Sequence, residues 1–406
     1  MQLVDFLETN NLLSNNQFGF RPNHSTVEAA HSLLTSFVQG IESKDNVHFR
    51  SFDMSKAFDT VPHDILIQKL PFYFFDNSSV NFFRSYLSNR WQSVFLNGSF
   101  STPKEVKYGV PQGSILGPTL FILYINDLPF SLNSPNFQNA QGFLFADDIG
   151  LCIKESSLLF TTNLLDSKTE IVLDWCNANR LKLNGEKTQD LKLNLSNLSP
   201  VTSLKFLGIT LQSNLKWNLH IDCLASKLSK GIYMLRSLQN SLSLEVLRNV
   251  YYSHVHSHLT YGTAMWAGSY YSNKIFVLQK TAVRLLCGAP FRAHCRPLFV
   301  EQGIITLPSL YVFSVLVHIK ENLINFSVHS DVHGYDTRNK ANLVITKYNF
   351  SVTHSSFLHV GVKMYNALPD SIKNLPVLAF KKSLKRILVG MCLYNPVEFF
   401  SAIKDL

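Results

Sequence analysis

Cysteine is scarce in this sequence, and the spacing of the few cysteines suits neither cross-linking nor zinc binding. Six are present among 406 residues, and no two form a C-x-x-C pair. We therefore predict no disulfide framework or zinc finger, and expect free thiols in a reducing compartment. Two groups have the residue types of a zinc site without its spacing, and we interpret them as packing or surface residues: Cys287, His294 and Cys295, and His254, His256 and His258.

Long apolar runs, internal repeats and low-complexity tracts are also absent. The longest apolar stretch, around residues 310–317, is too short to cross a bilayer. Asp5 and Glu8 stand near the start, where a signal peptide carries basic residues. These absences exclude a helical membrane span and a repeat solenoid. We expect a soluble, intracellular protein, nuclear or cytoplasmic, with no membrane partner.

The sequence does have a large apolar fraction and an excess of positive charge. Apolar residues make up 46% of the chain, enough for a substantial core. There are 37 Lys and Arg against 28 Asp and Glu, a formal charge of +9. Residues 1–210 hold 16 of the basic and 19 of the acidic residues, so residues 211–406 hold 21 and 9. The basic second half favours a polyanionic partner such as nucleic acid.

The hydrophobic pattern before about residue 212 is typical of an α+β domain. Short β-rich runs alternate there with helical patterns, as in a sheet covered by helices. The runs lie at residues 47–53, 143–147, 149–153 and 205–211. We therefore predict one domain of mixed strands and helices over residues 1–212.

After that point the pattern becomes helical. Apolar residues recur every three or four positions over 221–238 and again over 244–259, the spacing of amphipathic helices in a bundle. We predict a helical domain over residues 213–326 and a basic carboxyl-terminal region over 327–406. Around residues 380–388 the pattern sets an apolar face against a basic one, which is either a solvated surface or a nucleic-acid contact.

The segment FLFADDIGLCI (residues 143–153) has two apolar runs around adjacent carboxylates. Asp tolerates a tight hairpin turn, so Asp147 and Asp148 are predicted at the tip of a hairpin. Neighbouring like charges repel one another unless a hard cation such as Mg²⁺ neutralises them. Asp53 ends another alternating run, and its carboxylate is expected to emerge beside this tip. Phosphoryl transfer to a hydroxyl requires a pair of metal ions, which such an arrangement can hold.

A loop punctuated by glycine and proline, YGVPQGS (residues 108–114), lies between these strands. Gly109 and Gly113 permit close backbone approach to a ligand, and Gln112 offers both a donor and an acceptor. An apolar helical pattern follows. The loop is therefore either part of a binding site or only the turn that starts a helix.

Three segments resemble, in order and spacing, motifs A, B and C of reverse transcriptases. They are FDMSKAFDTVPH (52–63), GVPQGSILGP (109–118) and FADD (145–148). The similarity is greatest to non-LTR (LINE-type) retrotransposons, particularly the jockey-like group. Further segments resemble the second fingers motif, motif D, the primer-grip motif E and a carboxyl-terminal segment of jockey-like elements: NQFGFR (16–21), LNGEKT (183–188), FLGIT (206–210) and HGYDTR (333–338).

The resemblance implies a right-hand polymerase palm, an antiparallel sheet with helices, with partial fingers, a helical thumb and a mainly helical carboxyl-terminal region. It implies an RNA-directed DNA polymerase that uses two Mg²⁺ ions, or Mn²⁺, with an RNA template, a DNA primer and deoxynucleoside triphosphates. The first fingers motifs of relatives are missing ahead of residue 16. An alternative is therefore a truncated retroelement remnant that binds nucleic acid without polymerising, and a third interpretation is an RNA-dependent RNA polymerase.

The resemblance also implies roles for single residues. Asp53 and Asp147 would bridge the metal ions, and Asp148 would support the site or bind a single ion. Phe58 stands where the family places an aromatic gate against the 2′-hydroxyl of a ribonucleotide, which argues against an RNA polymerase. Lys187 is the candidate general acid that protonates departing pyrophosphate.

Other residues keep two interpretations. Gln112 and Gly113 are implied in binding the nucleotide, beside the helix-start alternative. Arg21 either binds phosphate oxygens or makes a structural salt bridge. The segment 206–208, with Phe206, Leu207 and Gly208, either forms the primer grip or a core strand. Arg50 lies on the first strand, where relatives are more apolar, and needs a partner or a wet edge if it is buried.

Overall fold

The computed structural model describes residues 2–132, 139–193, 200–332 and 340–405. The chain divides into two compact units, Met1–Gly208 and Ile209–Leu406. The division lies close to the predicted change of pattern near residue 212, whereas a further boundary at residue 327 stays a prediction. The segment HGYDTR (333–338) falls outside the described residues. Among the helices that the structure describes, none has the length and apolar character that a bilayer crossing requires.

The first unit mixes helices and strands. Its helices are α1 (Gln2–Thr9), α2 (Thr26–Glu42), α3 (Ala57–Thr60), α4 (His63–Lys69), α5 (Asn77–Leu87), α6 (Leu116–Ile125), α7 (Leu128–Leu132) and α8 (Leu158–Ala178), with 3₁₀ turns at Leu70–Tyr73 and Gly185–Lys187. Its strands are β1 (Asn46–Asp53), β2 (Trp91–Gln92), β3 (Phe95–Leu96), β4 (Ser99–Phe100), β5 (Lys104–Glu105), β6 (Ala140–Phe145), β7 (Asp148–Glu155), β8 (Gln189–Lys192) and β9 (Ser203–Phe206).

The central sheet of this unit is four-stranded and antiparallel, in the order β6-β7-β1-β8. Helix α2 covers one face, since Phe37 lies edge-on to Phe49 of β1 with ring centroids 5.9 Å apart. Helix α8 covers the other face, where Thr169 contacts Arg50. Because helices cover both faces, both β1 and β7 carry long buried runs. The predicted α+β architecture is confirmed.

Helix α6 runs through the core of the same unit. It is apolar all round, and its residues from Thr119 to Ile125 are all buried, as expected for a helix with no solvent-facing side. Gly117 in its first turn lies so close to the carbonyl oxygen of Pro111 that an added Cβ would be 2.5 Å from it. The helix thus holds the preceding loop, residues 108–114, against the core.

The second unit is mainly helical. Its elements are strand β10 (Ile209–Gln212), helices α9 (Asn218–Leu238), α10 (Leu244–Tyr251), α11 (Ser257–Thr260), α12 (Thr263–Trp266), α13 (Asn273–Leu286), α14 (Cys295–Glu301), α15 (Leu307–Glu321), α16 (His329–Val332), α17 (Ser351–His354), α18 (Phe357–Asn366), α19 (Asp370–Lys373), α20 (Val377–Met391) and α21 (Glu398–Ala402), a π-helix at Tyr252–His256, and 3₁₀ turns at Tyr270–Ser272, Leu323–Asn325 and Ile403–Asp405.

Two sequence patterns fold differently from the prediction. The run 205–211 is not one strand, because the chain turns at Leu207 and Gly208, whose φ angles are 46° and 78°. The pattern 244–259 is not one regular helix, because the π-helix Tyr252–His256 interrupts it. At this interruption Gly231 of α9 lets the His254 carbonyl approach, and a Cβ there would be 2.6 Å from that oxygen.

Candidate active site

Three carboxylates meet at one end of the central sheet. Asp53 is the last residue of β1 and lies directly across the ladder from Asp148, the first residue of β7. Asp147 precedes Asp148 and lies in the turn that joins β6 to β7. Asp53 and Asp147 are half-buried, and Asp148 is exposed. The fold therefore brings together the three acidic residues that the sequence singled out.

The turn itself differs from the prediction that both acids stand at its tip. Phe145 pairs with Asp148, so the turn consists of Ala146 and Asp147 only. The residue in the left-handed region is Ala146, with φ 53°, and not an aspartate. Asp148 is instead part of β7, where its pairing with Asp53 fixes its position.

Desolvation and like charge both act on these carboxylates. Desolvation raises the pKa of Asp148, and the charges of Asp147 and Asp53 raise it further. Desolvation likewise raises the pKa of Asp147, with a smaller contribution from the charge of Asp53. Asp148 nevertheless remains exposed to solvent. Any divalent cation that bound between these groups would relieve this repulsion.

Lys187 forms an ion pair with one carboxylate of this cluster. Its Nζ atom lies 3.3 Å from Oδ2 of Asp53, and the two side chains are 66% and 36% exposed. The 3₁₀ turn Gly185–Lys187 holds the lysine there, and the backbone N–H of Asn184 donates to the carbonyl of Asp53 at 2.8 Å. An ion pair this exposed contributes little to stability, which leaves the ammonium free to exchange partners.

The cluster has the type of ligand that magnesium prefers, but the arrangement of its side chains limits how many of them can bind one ion. The candidate ligands are carboxylate oxygens, the donors that hard divalent cations prefer. Within the described ranges, no group of three or more His, Cys, Asp or Glu side chains is arranged to hold a metal ion. Mg²⁺ is usually held by one or two carboxylates together with substrate phosphates and water. Two of these aspartates therefore fit such an ion, and the assignment of metal ligands stays a prediction.

The loop 108–114 packs against the segment that follows β1. The backbone N–H groups of Gly109 and Val110 donate to the carbonyls of Val61 and Phe58, both at 2.8 Å. A Cβ on Gly109 (φ 87°) would be 2.8 Å from the carbonyl oxygen of Asp59. This glycine therefore permits close contact between two chain segments, and its approach to a ligand stays a prediction.

Gly113 and Gln112 lie on the exposed side of the same loop. Gly113 has φ 77°, and nothing lies within 4 Å of the position of an added Cβ. Gln112 is exposed, and its Nε2 donates to Oδ1 of Asp59 at 2.7 Å. Space for a ligand is thus present at Gly113, while the amide donor of Gln112 is engaged by Asp59. Asp59 is a residue that the sequence did not single out.

Phe58 lies between the core and this open side. Its ring stacks on the buried Phe121 of α6, with centroids 4.2 Å apart and planes 20° apart. The exposed Phe20 contacts the ring edge-on at 6.0 Å. Phe58 itself is only half-buried. Packing against Phe121 holds one face of the ring rigidly, as a steric gate requires.

Arg21 makes a structural ion pair. Its Nε and Nη2 atoms donate to the two carboxylate oxygens of Glu8, both at 2.8 Å, and its Nη1 donates to the carbonyl of Ser14 at 2.7 Å. Its side chain is only 6% exposed. The side-chain hydrogen bond with Arg21 lowers the pKa of Glu8, although burial opposes the shift. Of the two interpretations left open by the sequence, the structure supports the salt bridge.

Arg50 also has a partner. It forms a bidentate pair with Asp190 of β8, with both N···O distances 2.7 Å, and donates to Oγ1 of Thr169 at 2.9 Å. Nε2 of His48 lies 3.6 Å from the same carboxylate. Desolvation alone would raise the pKa of Asp190, but the hydrogen bonds from Arg50, together with the nearby His48 and the charge of Arg50, outweigh it and lower that pKa well below its usual range.

The proposed primer-grip residues lie at the end of the first unit. Phe206 is buried and packs edge-on against Phe49 of the central sheet, with centroids 5.1 Å apart. Leu207 is also buried, whereas Gly208 is exposed. Phe206 thus belongs to a core strand, and only the turn at Gly208 is presented to solvent.

Gln17 is a further polar residue at the site, and no role was predicted for it from its place in the sequence. It is fully buried, and its Oε1 accepts a hydrogen bond from the backbone N–H of Ala146 at 3.1 Å. The available signal was the position of Gln17 in NQFGFR (16–21), a pattern that does not reveal which distant segment this side chain contacts.

Comparison with known proteins gives one family and several relatives. The family model described as reverse transcriptase (RNA-dependent DNA polymerase) matches residues 1–211. A probable RNA-directed DNA polymerase from transposon BS of Drosophila melanogaster is 32% identical over 314 residues, 71% of this chain and 34% of the relative. The RNA-directed DNA polymerase from mobile element jockey of the same species is 29% identical over 300 residues, 69% of this chain and 32% of the relative.

The chain thus spans about a third of the length of these relatives. Among solved structures, telomerase from Candida albicans in complex with a TWJ fragment of telomeric RNA aligns with a TM-score of 0.44 and 14% identity, over 77% of this chain and 50% of that chain. At that score the likeness supports no conclusion about this chain. The match to the family model, which covers more than half of the sequence, does not depend on it.

Proposed function

Because this chain belongs to the reverse transcriptase family, we propose that it is an RNA-directed DNA polymerase of a non-LTR retrotransposon, adding deoxynucleotides to a primer 3′-hydroxyl on an RNA template. The observation that carries the proposal is the meeting of Asp53, Asp147 and Asp148 at one end of the central sheet. Desolvation, and to a smaller extent repulsion between like charges, raises the pKa of two of them. Such a cluster is costly for stability alone and is typical of a functional site.

Asp53 and Asp147 are assigned to hold two Mg²⁺ ions, or Mn²⁺, with Asp148 supporting the site. When bound, these ions activate the attacking hydroxyl and neutralise charge on the phosphates. The chain itself supplies the positions of the carboxylates. Asp53 and Asp148 are fixed on adjacent strands of a covered sheet, so little reorganisation is needed when substrate arrives.

Phe58, Gln112 and Gly113 are assigned to the incoming nucleotide. The ring of Phe58, braced on Phe121, excludes a 2′-hydroxyl and so selects deoxynucleotides. Gly113 leaves space for the nucleotide, and Gln112 exchanges its hydrogen bond with Asp59 for one to the substrate. Lys187, which pairs weakly with Asp53 in the free protein, donates a proton to the departing pyrophosphate.

Template and primer binding is assigned in part to the second unit. Residues 211–406 carry 21 basic and 9 acidic residues, and an RNA·DNA hybrid is recognised mainly by its shape and its phosphates. Gly208, exposed at its turn, is assigned to the primer grip together with Phe206 and Leu207. Binding by phosphate contacts weakens as the salt concentration rises.

Primer extension tests the proposal directly. The purified chain is given an RNA template, an annealed DNA primer, Mg²⁺ and either deoxynucleotides or ribonucleotides. We expect incorporation of deoxynucleotides, and a loss of about a thousandfold or more in Asp147→Asn, since several kcal/mol of transition-state stabilisation are removed. Asp174→Asn is the matched control, because it makes the same substitution at an exposed position on α8.

The possible outcomes separate the three interpretations. Preferred use of ribonucleotides would identify an RNA polymerase. A folded wild-type chain that retains salt-dependent binding to the hybrid but incorporates nothing would identify a remnant without polymerase activity. Equal activity of wild type and Asp147→Asn would remove the catalytic assignment of the cluster.

A further inference from the structure

Gln17 reaches the catalytic turn from a distant part of the sequence. Its side chain is 0% exposed. Its Oε1 atom accepts two hydrogen bonds, from the backbone N–H of Gly19 at 2.7 Å and from that of Ala146 at 3.1 Å. Because Oε1 accepts both bonds, the orientation of the carboxamide is determined by its surroundings. The oxygen of this amide therefore binds the backbone of Ala146, the residue that precedes Asp147.

The residue it holds is in an unfavourable conformation. Ala146 has φ 53°, and the left-handed region is unfavourable for a residue that carries a Cβ. Alanine has no side-chain oxygen to stabilise this conformation locally, as Asn or Asp would have. Contacts from elsewhere must therefore hold it, and the bond from Gln17 is one of them.

The backbone around Gln17 is fitted to the same turn. Phe18 N–H donates to the Leu144 carbonyl at 2.7 Å, and Leu144 N–H donates to the Asn16 carbonyl at 2.8 Å, which adds a short parallel bridge beside β6. A Cβ on Gly19 would lie 2.5 Å from the Ala146 nitrogen. Only glycine permits this approach, so the segment 16–19 and the turn are closely packed together.

We propose that Gln17 is a positioning residue that sets the location of the Asp147 carboxylate by holding Ala146 in its left-handed conformation. This inference rests on the proposed function, since it gives Asp147 a catalytic role. Gln17 does not touch the substrate. It acts through the turn, and an aspartate displaced by about 1 Å can cost roughly a hundredfold in rate.

A purely structural role for Gln17 is the alternative, and Asn126 provides the matched control. Asn126 is also a buried amide that ties the amino-terminal segment to the core, since its Oδ1 accepts from Ser14 N–H and its Nδ2 donates to the Leu12 carbonyl, both at 2.8 Å. It makes no hydrogen bond to the turn. Loss of either amide is expected to destabilise the fold, but only the loss of Gln17 should alter the site.

The experiment compares Gln17→Met, Gln17→Glu and Asn126→Leu in the full chain. Three quantities are measured: hydrogen exchange at the Ala146 amide, Mn²⁺ affinity from water proton relaxation, and kcat and KM for primer extension. For Gln17→Met we expect faster exchange at Ala146, an increase of about tenfold in half-saturating Mn²⁺ and a fall of roughly 10–100-fold in kcat, with KM for the deoxynucleotide nearly unchanged. Gln17→Glu keeps an acceptor oxygen and should retain protection of the Ala146 amide.

Two outcomes would overturn the inference. One is a Gln17→Met variant with wild-type Ala146 exchange and Mn²⁺ affinity. The other is an Asn126→Leu variant that changes both quantities to the same extent, since the effect would then be general loosening of the fold. If the wild-type chain does not polymerise but Gln17→Met still weakens Mn²⁺ binding, the proposed function fails and the positioning role stands.

Discussion

The middle and the carboxyl end of strand β1 place acidic residues in opposite environments. Near the middle, Arg50 forms a bidentate pair with Asp190, and the pKa of that aspartate is lowered. At the carboxyl end, Asp53 lies across from Asp148, and Asp147 and Asp148 both have raised pKa values. Asp53 forms an ion pair there with the exposed Lys187.

The difference separates charges that stabilise the fold from charges that do not. An arginine held between a sheet and a helix needs a matched carboxylate, because an unpaired buried charge is costly. Carboxylates that repel one another at a strand end do not stabilise the folded chain at neutral pH. They are retained there at a cost, which is typical of a site whose stabilising partner is absent from the chain itself.

Within this comparison, the largest expected effect concerns Lys187, the ion-pair partner of Asp53. Lys187→Gln should lower kcat for primer extension by about a hundredfold, if the lysine is the general acid, while changing the free energy of unfolding by less than about 0.5 kcal/mol. Pre-steady-state kinetics and urea denaturation measure the two quantities. Lys182→Gln is the control, because Lys182 lies in the same segment between α8 and β8. A lower free energy of unfolding without a change in kcat would mean that Lys187, like Arg50, has a structural role.

Next in size is the loss of the Arg50 partner. Asp190→Asn should destabilise the first unit by on the order of 2 kcal/mol, because the largely buried guanidinium of Arg50 loses its bidentate partner. The ion pair is partly exposed, so the cost is lower than for a fully buried ion pair. Chemical denaturation measures this change, with Asp147→Asn as the comparison. Equal destabilisation by the two substitutions would mean that the carboxylates at the middle and at the end of β1 contribute equally to stability.

The smallest effect is the pH dependence of stability. The lowered pKa of Asp190 gives stability that is present above its unfolded pKa and lost as pH falls through its folded value. The raised pKa values of Asp147 and Asp148 have the opposite sign, so their unfavourable contribution is present at neutral pH and disappears on acidification. Asp148→Asn should therefore raise Tm by about 1–3 °C at pH 7 and by less at pH 4.5.

Thermal unfolding at several pH values, with and without Mg²⁺, measures that effect. Added Mg²⁺ should raise the Tm of the wild type more than that of Asp148→Asn, since a bound cation and the removed charge relieve the same repulsion. A Tm gain in Asp148→Asn that grows on acidification would contradict the assigned sign.

Prediction from the sequence succeeded where the pattern was local and strong. The alternation in residues 47–53 and the apolar run at 149–153 predicted two strands, and the apolar stripe over 221–238 predicted α9. Acidic residues at strand ends indicated the cluster of Asp53, Asp147 and Asp148. Prediction failed at Leu207 and Gly208, because two residues with positive φ in an apolar run are not evident from hydrophobicity alone.

The amino-acid sequence by itself determined the family, the α+β and helical halves, and which carboxylates are proposed to carry the chemistry, because motif spacing and hydrophobic periodicity are written along the chain. Only the tertiary structure decided the partners: Asp190 for Arg50, Glu8 for Arg21, Asp59 for Gln112 and Ala146 for Gln17. These contacts join residues 13 to 140 positions apart. Pairings at such separations follow from how strands and helices pack, and no local pattern specifies them.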